Sequence, residues 1–156
     1  MATTLVVGTN SYVTLSEAND IIDANYVPTE LIATQWNALS DFEKEVYLIR
    51  SARQIDRMML SGYKTQTTQV MGFPRNGTLE VPSEVKEAQV VNSIALSDPQ
   101  VQVGGNPVLR DVKSYSIDDF SETFAAGAKT AYNTSLASND ATNILWQWLR
   151  GGYLIR

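Results

Sequence analysis

Apolar residues recur at helical spacing over four stretches of the chain, and each stretch is bounded by capping or breaking residues. Thr14 and Glu17 have the spacing of a capping box, and Leu15, Ala18, Ile21 and Ile22 follow on one face, which predicts a first helix to about Asn25. Pro28 interrupts the pattern, and residues 29–39 have room for one or two helical turns anchored by Trp36. Ser40 and Glu43 form a second capping box. Phe42, Val46, Ile49, Ala52, Ile55 and Met59 then define one face of the longest helix, with Glu43, Lys44, Arg50, Arg53 and Arg57 opposite and Gly62 as its stop. After a Thr-, Gln- and Gly-rich loop over 63–81, Pro82 sits where a further helix begins. Val85, Ala88, Val91 and Ala95 form its stripe, and Asp98-Pro99 ends it. Ser138 caps a last helix expected over Asn139–Arg150, with Ala141, Ile144, Leu145, Trp148 and Leu149 inward and Trp146 pointing elsewhere.

Period-two patterns are fewer. Thr4–Val7 reads as a short strand, and Val108–Ile117 with Phe120–Phe124 reads as a hairpin around Asp118-Asp119. Residues 126–137 are small and polar, as in a linker or ragged helix. The expected fold is mainly α: a small bundle of about four helices with a β-hairpin insertion and a long loop. We expect a single domain over 1–156, with helical core 14–98, hairpin 100–125, and C-terminal helix and tail 138–156.

The 156 residues can bury a sizeable core without staples, and 44% hydrophobic against 19% charged residues is a globular composition. The chain has no cysteine and no histidine, which excludes disulfides, a Ser-His-Asp triad, a Cys-His pair and an ordinary catalytic zinc site. A mechanism run by carboxylates alone, such as glycoside hydrolysis, stays open in principle. No sugar-binding aromatic cluster accompanies it, and no enzyme activity, catalytic residue, cofactor or metal is expected. The net charge of -5 argues against a strongly basic nucleic-acid groove. MATTLVVGTN lacks the basic region of a signal peptide, and no run approaches the ~20 apolar residues of a membrane span, so no membrane partner is expected.

Five segments occur in a familiar order: NSYVTLSEAND at 10–20, LSDFEKEVYLIRSARQID at 39–56 after Trp36, GYKT at 62–65, FPRNG at 73–77 and VPSEVKEA at 81–88. Together they resemble a family of phage structural proteins whose members often carry the label DnaT-like single-stranded DNA-binding protein. They are also similar to the head–tail connector adaptors of long-tailed phages, over roughly residues 9–125. The resemblance implies a structural virion protein of the neck, present in the host cytoplasm during assembly. It further implies a homo-oligomeric, usually dodecameric, ring beneath the portal protein that receives the stopper or tail-completion protein and lets DNA pass without specific binding. Single-stranded DNA binding is the alternative.

Four groups of residues are candidate contact sites, each with a plainer reading beside it. Phe73, Pro74 and Arg75 form either an inter-subunit loop or a rigid loop whose Phe fills its own core and whose Arg caps a helix end. Asp118, Asp119 and Glu122 form either a channel-facing acidic tip or an ordinary solvated turn, and they lack the spacing of a calcium loop. Trp146, Tyr153, Leu154, Ile155 and Arg156 form either a portal-docking surface or a tail folded back on the bundle. Arg50, Arg53 and Arg57, at i, i+3 and i+7, either track a nucleic-acid backbone or belong to a salt-bridged surface with Glu43, Glu45 and Asp56.

Overall fold

The computed structural model describes residues 4–99, 114–117, 120–123 and 136–149. Five helices stand among them: α1 Leu15–Asn25, α2 Leu31–Ala38, α3 Asp41–Arg57, α4 Ser83–Ser97 and a short α5 Asn139–Ile144, which runs into a 3-10 turn at Trp146–Trp148. Among the described residues the chain is mainly helical, and α2 forms where one or two helical turns anchored by Trp36 are expected.

Local chemistry sets the starts of the helices. At α1 the Thr14 side chain accepts from Glu17 N at 3.1 Å while Glu17 Oε2 accepts from Thr14 N at 2.8 Å. At α3 the same reciprocal box joins Ser40 and Glu43. Both boxes satisfy amides that a helix start leaves without partners. Pro82 is the N-cap of α4, and Asp98 closes it.

Helix α4 is the spine. It packs on α3, α5, α1 and α2, and it supplies both apolar clusters. Val85, Ala88 and Val91 join Tyr12, Ala52, Ile55, Met71, Phe73 and Leu145 on one side. Val90 and Ile94 join Val13, Ile22, Trp36 and Leu48 on the other. Helix α4 is therefore buried well beyond the predicted stripe, and its polar residues Gln89, Asn92 and Ser93 are fully enclosed.

Those polar residues pair across the core. Gln89 Nε2 donates to Ser11 Oγ at 2.8 Å and to Leu48 O at 2.9 Å, and its Oε1 accepts from Tyr12 N at 2.9 Å. Asn92 Nδ2 donates to Ser51 Oγ and Gln54 Oε1, and Asn92 Oδ1 accepts from Ser138 N. Ser51 Oγ in turn donates to Gln89 O at 2.7 Å. A buried polar group is tolerated when its partners are present. Here the partners fasten the N-terminal segment and the approach to α5 onto the α3–α4 pair. A second pin lies at the other end, where Asn19 Oδ1 accepts from Trp36 Nε1 at 2.8 Å and from Lys44 Nζ at 3.5 Å. Lys44 itself lies 5.1 Å from the Trp36 ring centroid.

Several expectations need correction. Thr4–Val7 is not a strand: the Asn10 side chain accepts from Val6 N and donates to Thr4 O, so the segment closes into a turn with one isolated bridge, Val7 to Ser11. Phe42 in α3 and Met59 just past its end fall outside the core, at 56% and 50% exposed. Leu48 and Met58 take the inward positions, because α4 lies to that side. Helix α3 ends at Arg57 rather than near Gly62, since Leu60 bridges to Leu149 and Ser61 N donates to Trp148 O at 2.7 Å. The last helix stops at Ile144 and tightens. Ser114–Ile117 and Phe120–Thr123 pair antiparallel, but the helical body contains no strand among its described residues, and the hairpin is not supported as an insertion into it.

Candidate nucleic-acid interface

Helix α3 turns one face to α4 and the other to solvent. Seventeen residues long, it carries Arg50, Arg53 and Arg57 on the outer face, all exposed. From Arg50 to Arg57 the helix rises ~10 Å. Arginine suits such a surface because its fork of donors matches a phosphate and its plane stacks on rings. The Arg50 guanidinium lies 5.5 Å from the Tyr47 ring centroid, so the basic row has an aromatic neighbour. Phe42 is exposed nearer the start of the same helix.

The acidic residues around this row are mostly committed elsewhere. Glu43 is held by the Ser40 cap, whose hydroxyl and backbone N–H keep its carboxyl below the ordinary carboxylate value. Asp56 Oδ1 accepts from the Tyr12 hydroxyl and from Gly72 N. Burial first, and then the Asp56 charge, push the Tyr12 phenol above its ordinary value, so it stays a neutral donor. The one ion pair among the described residues is Lys86 Nζ to Glu17 Oε1, at 2.9 Å. Among those residues the three arginines carry no salt bridge, which the reading of an ordinary ion-paired surface would require.

The other candidate residues do not gather at one place. Phe73 is in the core, edge-on to Tyr12 and Trp148 with centroids 5.9 Å from each. Pro74 follows a cis peptide bond, and its carbonyl accepts from Thr65 N and Gln69 Nε2. Arg75 donates to the carbonyls of Ser61, Gly72 and Gly62. Trp146 is 46% exposed at the start of the 3-10 turn, whereas Tyr153, Leu154, Ile155 and Arg156 lie outside the described residues. Asp118 and Asp119 also lie outside them, and Glu122 is described only as the strand partner of Tyr115.

Sequence spacing missed a small ladder in the long loop. Tyr63 N donates to Asn76 Oδ1 and Asn76 N to Tyr63 O, and Lys64 bridges to Arg75. Asn76-Gly77 is the one local signal that could have found it, and both residues have positive φ, 57° and 80°. Gly62, at φ 77°, has no room for a side chain: a Cβ there would collide with the Asn76 amide. Among the described residues no cluster of acidic side chains could hold a metal ion, and no helix is long and apolar enough to cross a membrane.

Comparison with known proteins yields one family. Its model, described as "Putative DnaT-like ssDNA binding protein", matches residues 2–155. No curated protein and no solved structure matches the chain.

Proposed function

The chain belongs to the DnaT-like single-stranded DNA-binding family, and from that premise we propose that it binds single-stranded nucleic acid along the outer face of α3. The observation that carries the reading is the row Arg50, Arg53 and Arg57, exposed and without ion pairs among the described residues. Single-strand binders combine a basic track with aromatic platforms, and Tyr47 and Phe42 offer rings beside this track. The net charge of -5 keeps the interaction weak and salt-sensitive. Amide chemical-shift mapping with oligothymidylate tests the location. Shifts concentrated on residues 46–57 fit the proposal, and shifts that avoid α3 contradict it.

A second reading is the head–tail adaptor: a homo-oligomeric ring in the virion neck, docked on a portal and offering a platform to stopper or tail-completion proteins. The family match lends it nothing. What it has in its favour is that large apolar side chains are left in solvent, Val70 at 68%, Leu79 at 88% and Trp146 at 46% exposed, which a partner surface would cover. Native mass spectrometry separates the two readings. A closed ring without nucleic acid favours the adaptor, and a monomer that binds oligothymidylate favours the first reading.

A further inference from the structure

Beside the end of α3 lies a pocket of about 240 Å³, lined by Asp56, Met58, Leu60, Lys64, Val70, Gly72 and Arg75. That volume is below the ~300–1,000 Å³ of drug-sized ligand sites, but it has room for a small ion and several waters. Lys64 and Arg75 are partners across an antiparallel bridge, so both side chains project to the same side of the ladder. Among the described residues each is held by carbonyls alone. Lys64 Nζ donates to Gln69 O at 3.4 Å and Val70 O at 3.1 Å. Arg75 Nε donates to Ser61 O at 2.9 Å, Nη1 to Gly72 O at 3.1 Å and Nη2 to Gly62 O at 2.6 Å.

Carbonyl partners fix the two side chains without neutralising them. The carboxylate that lines the pocket, Asp56, already takes the Tyr12 hydroxyl and Gly72 N on one oxygen. Two cations against one anion leave the pocket positive within a chain of net charge -5. An ammonium has three N–H donors and a guanidinium five. With two and three of them used, Lys64 keeps one donor and Arg75 keeps two. Preset cationic donors with spare N–H groups suit a multi-oxygen anion better than a neutral ligand, and Arg and Lys are the usual phosphate partners.

We infer that this pocket is a phosphate subsite, with Lys64 and Arg75 as its donors. It rests on the single-strand reading only for the source of the phosphate, which is then either a nucleic-acid phosphate or the free ion. Arg57, the last residue of α3, stands in the chain between the pocket residues Asp56 and Met58.

The test is a titration of the full chain with inorganic phosphate at constant ionic strength, read by amide and Arg Nε–H chemical shifts, with chloride as control. We expect saturable shifts at Lys64, Gly72 and Arg75. Lys64→Gln removes a donor, and Val70→Glu sets a negative charge at the exposed rim without touching the bonds that hold Arg75. Each should weaken phosphate binding about tenfold or more while far-UV circular dichroism stays that of the parent. No saturable shifts, or the parent's affinity retained in both variants, overturns the subsite. Oligothymidylate with a 5′-phosphate or a 5′-hydroxyl then identifies the source. Preference for the 5′-phosphate, or equal competition by both oligonucleotides, supports a terminal or a backbone phosphate respectively. Phosphate shifts that neither oligonucleotide displaces support a free-ion site and defeat only a nucleic-acid source for the phosphate.

Discussion

Removing Gln89 tests whether the polar bonds of α4 hold the fold together. Its amide makes three bonds, to Ser11 Oγ, Leu48 O and Tyr12 N. After Gln89→Ala, Ser11 keeps its bonds to Val13, and Leu48 O can still accept within α3. The Tyr12 N–H is then buried without a partner, which costs ~1–3 kcal/mol. The void left by the deleted amide adds ~1 kcal/mol. The sum, ~2–4 kcal/mol, lowers the melting temperature by ~4–16 °C for a domain of this size. Gln89→Met refills the volume and restores no partner, so it should melt between the parent and the alanine variant. Thermal unfolding followed by circular dichroism gives the order. A Gln89→Met protein that melts at or above the parent temperature refutes the reasoning, because packing alone would then hold the N-terminal segment.

Two further outcomes are checked by similar means. The Glu17 carboxyl is held below its ordinary value, first by the Thr14 backbone N–H and then by Lys86. A carboxyl lowered on folding stabilises the protein above the usual carboxylate range, ~4.3, and loses that contribution as pH falls through the lowered value. The melting-temperature gap between the parent and Glu17→Gln should therefore be full at neutral pH and close in acid; a gap independent of pH contradicts this. Phe73→Ala should cost ~3–5 kcal/mol, since the ring is buried against Tyr12 and Trp148. A variant that keeps its melting temperature but loses self-association would instead place Phe73 between subunits.

Much of the helical plan was legible because its signals are local. The Thr14–Glu17 and Ser40–Glu43 boxes, Pro82 and Asp98 act within one turn of the boundaries they set. Trp36 was legible as an anchor because so large a ring rarely sits outside a core when helices flank it. What was not legible depends on residues far apart in the chain. Gln89 and Asn92 fall outside the apolar stripe of α4, and their partners Ser11 and Ser51 lie 78 and 41 residues away. Phe42 matched the stripe of α3 by period alone, and period does not say how far the neighbouring helix extends. Of the candidate interface, the arginine spacing was visible and the freedom from ion pairs was not. The pocket of Lys64 and Arg75 needed a ladder closed by Tyr63 and Asn76, thirteen residues apart.

The most direct measurement of the central proposal is fluorescence anisotropy of labelled oligothymidylate at several salt concentrations, with the parent and the Arg50→Ala/Arg53→Ala/Arg57→Ala triple variant. For single strands each phosphate contact contributes ~0.7 to the slope of log K against log salt. Three arginines should therefore give the parent a slope steeper by ~2 than that of the variant, with binding falling away toward physiological salt. Equal affinity and equal slope in the two proteins would contradict a nucleic-acid interface on α3.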